Sequence, residues 1–196
     1  MALLAAVWLT LLAASRADEV PVRYRVSFPH PSSHYAEVEA VLPTGGRDEV
    51  DLMMAVWTPG SYLVREFARH VEAVSAFDPE GRALAVGKVA KNRWRVTTGG
   101  AAAVTLRYRV YGREMSVRTN WFEPEFCLLN GAATFLTLGD GASRPHDVRF
   151  LPAPGWNGCF TGLSPHPDGQ PHHFRAADFH ELVDCPVLLG SPDVRT

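Results

Sequence analysis

One run of five residues, His180-Glu181-Leu182-Val183-Asp184, comes close to the zinc-binding pattern HExxH. That pattern works because two histidines four residues apart share one face of a helix and both ligate the metal. The fifth residue here is an aspartate, and Cys185-Pro186 follows at once. Because proline disfavours helical backbone at the residue before it, we predict a loop leading into a strand at Val187. We therefore predict that His180 ligates no metal.

Other histidines lie in a segment rich in proline, glycine and histidine, residues 153–173. His166 and the pair His172-His173 are possible ligands, but histidines of this kind usually belong to a solvent-exposed loop. We therefore predict a long surface loop there, with no metal ligand and no cofactor in this chain. None of the three cysteines has the CxxC spacing of a zinc or redox site. Serine-hydrolase, P-loop and dinucleotide-binding patterns are also absent from the sequence.

A corner at residues 57–62, Trp-Thr-Pro-Gly-Ser-Tyr, separates an alternating stretch from one that mixes aromatic and charged residues. Proline fixes φ, and glycine accepts the positive φ that the next position of a type II turn requires. Two interpretations are open. In the first, the corner is rigid and holds Trp57 and Tyr62 in the core. In the second, the loop presents Tyr62 and Arg65 to a partner or ligand.

Length and charge exclude several classes of protein. The chain has 196 residues, of which 46% are hydrophobic and 20% charged, a composition typical of one globular domain. A net charge of −2 gives no basic surface for nucleic acid and no support for attachment to anionic lipid.

The beginning of the chain has the pattern of an export signal. Residues 3–14 are apolar apart from one threonine, and Ser15-Arg16-Ala17 follows with small residues at the positions that a signal peptidase requires. Twelve residues are too few to cross a bilayer as a helix. We predict a signal peptide over residues 1–17, a mature chain from Asp18, a periplasmic or secreted location, and no integral membrane segment.

The remainder of the chain reads as short strands. Period-two alternation, which is the mark of a half-buried strand, is clear in residues 21–30 and recurs in several later segments. Glycine and proline turns interrupt the alternation at the spacing of a sandwich. We predict an all-β fold, an antiparallel β-sandwich over residues 18–190, with short helical segments at 62–70 and 174–182.

Seven stretches along the chain resemble the N-terminal domain of the glycyl aminopeptidase family, metallopeptidase family 61. They are WTPGSYLVREFARHV (57–71), KNRWRV (91–96), YRVYG (108–112), SVRTN (116–120), LNGA (129–132), PGW (154–156) and DFHELVDCPV (178–187). The resemblance extends over roughly residues 20–190, and the seven stretches occur in the same order as in the family. The family usually has aspartate where His180 stands and serine where Cys185 stands, which further weakens a zinc interpretation of that segment.

The resemblance implies a β-rich domain that precedes a zinc-binding catalytic domain. In the parent enzymes that domain removes N-terminal glycine and alanine from peptides, with zinc held by HExxH and a downstream glutamate. Neither group of ligands lies in these 196 residues. We therefore expect this chain alone to be inactive. Its expected partners are a zinc-binding catalytic domain, in cis or from an adjacent gene, and a peptide substrate, with residues 191–196 starting a linker towards the catalytic domain.

The resemblance also suggests which residues contact the substrate. In related aminopeptidases the β domain lends a loop to the pocket for the substrate's free amine, and Asn130-Gly131 falls where such a loop would lie. An asparagine carbonyl can accept from an ammonium group, and glycine permits close backbone approach. The alternative is a turn in which both residues serve only a positive φ. Candidate substrate-binding residues are therefore Asn130, Gly131, Tyr62 and Arg65.

A second function from a different class stays open. The chain could be a stand-alone exported module that binds peptides or glycans through exposed aromatic side chains. An unpaired, hydrophobic surface on the carboxyl side of the domain favours a domain that packs on a catalytic partner. A self-contained polar surface with one aromatic-lined groove favours the binding module.

Overall fold

The computed structural model describes residues 19–58, 60–61 and 63–193. Within these ranges sixteen strands form three sheets, and α1 (Phe179–Asp184) is an α-helix. The predicted signal peptide, the predicted mature start at Asp18 and the candidate residue Tyr62 lie outside the described residues. No helix in the described part of the chain is long and apolar enough to span a bilayer.

The largest sheet has eight strands. In sheet order they are β14 (Ser164–Pro165), β15 (His173–Ala176), β12 (His146–Leu151), β1 (Val22–Ser27), β2 (Tyr35–Pro43), β8 (Ala103–Tyr111), β4 (Val71–Phe77) and β5 (Ala83–Leu84). Strands β1 and β12 run parallel, and the other neighbours in this sheet are antiparallel.

Two smaller sheets and three 3-10 turns complete the architecture. The second sheet contains β11 (Leu136–Leu138), β3 (Glu49–Met54), β7 (Arg93–Thr97) and β6 (Val86–Ala90), in that order. The third contains β13 (Gly158–Thr161), β16 (Val187–Gly190), β10 (Phe126–Leu129) and β9 (Trp121–Phe122). The 3-10 turns are Pro31–Ser33, Phe67–His70 and Gly131–Ala133.

The core lies between the large sheet and the elements that cover its inner face. In β1, Val22, Tyr24 and Val26 are buried, whereas Arg23 and Arg25 are exposed, as the alternation predicts. The Tyr24 hydroxyl crosses the core and donates a hydrogen bond of 3.0 Å to the carbonyl of Leu136 in β11. The predicted all-β antiparallel sandwich is confirmed.

The predicted helical segments are wrong in extent. Among the described residues of the first segment, 63–70, the helical structure is the 3-10 turn Phe67–His70. Phe174 lies in β15, where it is paired with Val148 of β12. Short segments take their conformation from tertiary pairing because an isolated helix of this length is marginal in water. For the same reason the predicted loop over residues 153–173 is wrong in part, since it contains β13 and β14.

The predicted loop at His180 is also wrong, because residues 179–184 form α1. The helix begins with a capping box. The Asp178 carboxylate accepts from the Glu181 N–H at 3.0 Å, and the Glu181 carboxylate accepts from the Ala177 N–H at 2.6 Å. The helix ends at Asp184, where the restriction imposed by Pro186 on the preceding residue predicts a boundary.

Candidate functional site

Four segments that resemble the family lie next to one another in the fold. They are residues 56–70, residues 113–119, residues 130–133 and helix α1, and we call them together the loop surface. Arg69 of the first segment pairs with Glu114 of the second at 3.3 Å. A cavity of about 280 Å³ is lined by side chains from the first three segments, among them Phe67, Thr119 and Ala133. The third segment packs directly on α1 through Gly131.

The corner at residues 57–62 forms a turn but does not anchor the core. The Ser61 N–H donates to the Thr58 carbonyl at 3.0 Å, and Gly60 has the predicted positive φ of 73°. Trp57, however, is 48% exposed, so the interpretation that it is a core residue is wrong. The inward alternation of β3 ends at the fully buried Met54, and the chain then leaves the sheet.

Exposed apolar side chains are concentrated on and beside the loop surface. Eight large apolar side chains are exposed among the described residues. Trp57, Leu63, Val64, Met115 and Val117 belong to the loop surface, and Val89 lines a cavity together with Val64. The two that lie elsewhere are Val20 and Phe160. Large exposed apolar patches are typical of interaction sites, and six of the eight exposed side chains lie on or beside the loop surface.

Buried polar atoms without a hydrogen-bond partner are also found mainly on the loop surface. Five side-chain nitrogen or oxygen atoms are buried without a hydrogen-bond partner among the described residues. Three of them, Thr58 Oγ1, Arg65 Nε and Asn130 Oδ1, are on the loop surface. An unsatisfied buried polar atom costs about 1–3 kcal/mol, so native structures retain few of them. The loop surface therefore contains hydrogen-bonding atoms that the described residues leave unused.

The Asn130 side chain is held in place by a second asparagine. The Asn130 N–H donates to Asn120 Oδ1 at 2.7 Å, and Asn130 Nδ2 donates to the Val117 carbonyl at 3.1 Å. Asn120 Nδ2 in turn donates to the Ala133 carbonyl at 3.1 Å and to Thr134 Oγ1 at 3.0 Å. This network fixes the amide of Asn130 and leaves its carbonyl oxygen as an unused acceptor.

Asn120 has a positioning role that the sequence reasoning missed. Asn120 is the last residue of the family-like stretch 116–120, and this position was the sequence feature that could have identified it. No local pattern shows that a polar side chain there is buried and organises a loop ten residues further along the chain.

Gly131 is required by packing and not by a left-handed backbone. Asn130 has φ −105°, and Gly131 is not among the glycines with positive φ, so the interpretation of a turn with positive φ is wrong. A Cβ atom on Gly131 would lie 2.5 Å from the carbonyl oxygen of Leu182 and 2.9 Å from the Cα of Val183. The close backbone neighbour of Gly131 in this structure is α1, and the approach of a substrate to this residue stays a prediction.

Arg65 lies in a different part of the loop surface from Asn130. Its N–H donates to the Val56 carbonyl at 2.6 Å, and its side chain lines a cavity with Val64, Val89 and Lys91. Lys91 pairs with Glu66 at 2.5 Å, and this hydrogen bond lowers the pKa of the Glu66 carboxylate. Exposed ion pairs are worth little on their own, so these charges can form new pairs with a partner at low cost.

The HExxH-like segment, residues 180–184, lies within α1. His180 and Asp184 are both exposed on α1, a helix of six residues. Among the residues that the structure describes, neither belongs to a group of three potential metal ligands. His180 instead lines a cavity between α1 and the end of β3, which also contains Trp57 and Phe179.

The fold is similar to parts of two solved protein structures. An aminopeptidase N family protein from Idiomarina loihiensis aligns with a TM-score of 0.78 and 28% identity, over 86% of this chain and 29% of that one. An M1 zinc metallopeptidase from Deinococcus radiodurans, a mutant bound to a Tyr-Ser-Ala substrate, aligns with a TM-score of 0.51 and 14% identity, over 91% of this chain and 44% of that one. The chain thus spans less than half the length of either protein. No curated protein matches the sequence at a significant level.

The class of this domain follows from a match to a family model. The family model for the peptidase M61 N-terminal domain matches residues 23–191, and the chain belongs to that family. The resemblance read from the sequence is confirmed.

Proposed function

We propose that this chain is the non-catalytic β domain of a zinc aminopeptidase related to the glycyl aminopeptidases. Its loop surface packs on the zinc-binding catalytic domain and helps to shape the cleft that takes a peptide substrate. Asn130 Oδ1 is the acceptor offered to the free amine of the substrate, and Gly131 holds that loop against α1. Tyr62 and Arg65 contribute contacts from the neighbouring loop.

One observation carries this proposal, which is the coincidence of exposed apolar side chains and unpaired polar atoms on the loop surface. Charged side chains on another surface already form ion pairs with one another. On the outer face of the large sheet, Arg107 pairs with Glu39 at 2.9 Å and Arg109 pairs with Glu72 at 3.0 Å. Interfaces combine a central apolar area with polar groups that find partners in the complex. The loop surface has both exposed apolar side chains and unpaired polar groups. The ion-paired outer face of the large sheet lacks this combination among the described residues.

The cavity beside Trp57 favours a second candidate function. It has a volume of about 230 Å³ and is lined by Met53, Trp57, Phe179 and His180. A peptide or glycan could stack on the half-exposed indole, as the stand-alone binding module requires. The two functions differ in whether the loop surface binds a catalytic domain or a small ligand when the chain is by itself.

Substitutions on the loop surface are expected to separate binding from stability. Trp57→Ala and Leu63→Asp should shift the Tm by no more than about 2 °C, because exposed side chains contribute about 0.5 kcal/mol or less. The same variants should weaken binding to the HExxH-containing domain encoded in frame with or next to this chain at least tenfold, since buried aromatic and apolar contacts dominate interfaces. Thermal unfolding and isothermal titration calorimetry measure the two effects.

Val20→Asp is the matched control for these variants. Val20 is exposed to a similar degree as Leu63 and lies outside the loop surface. It should bind the catalytic domain as the unmodified chain does. Equal affinity of Leu63→Asp and the unmodified chain would contradict the docking proposal. Peptide or glycan binding by the isolated chain, lost in Trp57→Ala, would favour the binding module.

We also propose that the domain acts in the periplasm or outside the cell. The short apolar run at residues 3–14 and the small residues at 15 and 17 support this location. Mass spectrometry of the exported protein is expected to show a mature chain that begins at Asp18. A chain that keeps Met1 and stays in the cytoplasmic fraction would contradict the proposal.

A further inference from the structure

A group of potential metal ligands lies on the hairpin formed by β14 and β15. His166 and Asp168 are in the connecting loop, and His173 is the first residue of β15. The ligand atoms of these three side chains lie within 4.8 Å of one another. The site is at the His173 end of β15, whereas α1 follows the opposite end at Ala176, so the group does not belong to the loop surface.

The three side chains converge, and the carboxylate of Asp168 contacts one ring nitrogen of each histidine. His173 Nδ1 lies 2.7 Å from one oxygen of Asp168, and His166 Nδ1 lies 3.1 Å from the other. The two imidazole rings are stacked, with centroids 3.8 Å apart and planes 20° apart. His166 Nδ1 also accepts from the Asp168 N–H at 3.2 Å, so it presents a lone pair and not a proton to the carboxylate. A cation bound by these three atoms would replace the proton in the hydrogen bond between His173 Nδ1 and Asp168.

The surroundings hold the ligands in this arrangement. The Gln170 N–H donates to Asp168 Oδ1 at 3.0 Å, and the backbone N–H of His166 donates to the His173 carbonyl at 2.9 Å. On its far side, His166 Nε2 lies 3.5 Å from the carboxylate of Asp147, which is only 3% exposed. Histidine ligands commonly have a carboxylate at the second ring nitrogen, because it fixes the ring orientation and raises the basicity of the ligand.

Asp147 is itself firmly placed. Arg175 donates to both of its oxygens, from Nε at 2.7 Å and from Nη2 at 3.1 Å. The ligand set and its supporting groups are therefore in place without rearrangement of the backbone.

We propose that His166, Asp168 and His173 bind one divalent transition-metal cation of the zinc type. Two imidazole nitrogens and one carboxylate suit such a cation, whereas calcium and magnesium prefer oxygen ligands alone. Three protein ligands leave at least one coordination position to water. The metal would tie the connecting loop and the two-residue edge strand β14 to β15. This site revises the expectation from sequence that the histidines of residues 153–173 bind no metal, and it is separate from the catalytic zinc implied for the parent enzymes.

Titration of the untagged, chelator-treated full chain with Zn²⁺ tests this proposal. Calorimetry at pH 7.5 should give one equivalent bound, and saturating zinc should raise the Tm by roughly 5 °C. His166→Ala, His173→Ala and Asp168→Asn should each weaken zinc binding at least tenfold. Circular dichroism establishes that each variant is folded, and the exposed Asp168→Asn keeps the test decisive if a histidine variant does not fold.

His172→Asn is the matched control. His172 is next to His173 but is not one of the three ligands, and its φ of 56° is one that asparagine tolerates. This variant should bind zinc as the unmodified chain does. The proposal is overturned if no zinc binds at about 1 mM, or if His166→Ala and Asp168→Asn bind zinc with the affinity of His172→Asn.

Discussion

Replacing Gly131 with alanine is expected to lower the free energy of unfolding by about 2–3 kcal/mol. The added Cβ would lie 2.5 Å from the Leu182 carbonyl oxygen and 2.9 Å from the Cα of Val183, and both are backbone atoms of α1. A flexible side chain could turn away from such a clash, but here the helix as a whole has to move. Chemical denaturation measures the loss, which corresponds to a fall in Tm of roughly 5–10 °C.

Gly87→Ala is the control for this substitution. Gly87 lies in β6, its φ is not positive, and a Cβ there would have nothing within 4 Å. Its effect on stability should be within about 0.5 kcal/mol. If Gly131→Ala were as stable as Gly87→Ala, the direct packing of residues 130–133 on α1 would be refuted.

The buried His146 is expected to make stability fall as the solution becomes acidic. Its side chain is 0% exposed, is within 3.0 Å of Thr137 Oγ1 through Nε2 and has a stacked contact with the ring of Tyr24. Burial lowers its pKa to about 4, an effect that the Arg144 backbone and the carboxylates of Asp178 and Asp147 only partly oppose. In an unfolded chain the pKa of histidine is about 6.5.

The sign of the effect follows from these two pKa values. Above pH 6.5 both states are neutral at this residue, and the stability is complete. Between pH 6.5 and about 4 the unfolded chain binds a proton that the folded chain does not, so folding becomes less favourable as the pH falls. Below the folded pKa no further loss arises from this group. The whole contribution is roughly 3 kcal/mol.

His146→Gln removes this titration and keeps a polar side chain beside Thr137. The free energy of unfolding of the unmodified chain, measured relative to this variant, should fall by roughly 3 kcal/mol from pH 7 to pH 4. The exposed His180→Gln should show the same pH dependence as the unmodified chain. If the free energy of unfolding changes with pH in the same way for the unmodified chain and His146→Gln, His146 is not a source of acid sensitivity.

The strands could be predicted from sequence because burial on one face imposes a local pattern. Val22, Tyr24 and Val26 alternate with Arg23 and Arg25, and the structure buries and exposes them accordingly. The register of the sheets could not be predicted, because the parallel pairing of β1 with β12 joins segments more than a hundred residues apart. Pairing of this kind leaves no signal in a short window of sequence.

The candidate site likewise has features that could be predicted from the sequence and features that could not. The turn at Gly60 was predictable because a positive φ limits the choice of residue, and its φ of 73° agrees with the prediction. The exposure of Trp57 was not predictable, since an aromatic residue at the end of an alternating strand is usually in the core. The burial of Asn120 and its bond to the Asn130 N–H depend on how two loops meet, which is a tertiary property.

Hydrogen–deuterium exchange of the chain, with and without the catalytic domain, tests the docking of the loop surface most directly. Amides of residues 56–70, 113–119 and 130–133 should exchange more slowly in the complex, because binding removes these segments from water and satisfies groups such as Asn130 Oδ1. Strands β2 and β8, which are joined on their outer face by the ion pair of Arg107 with Glu39, should be unchanged. Slower exchange on that outer sheet face, with no change in the three segments, would contradict the proposal that the loop surface is where this domain meets its catalytic partner.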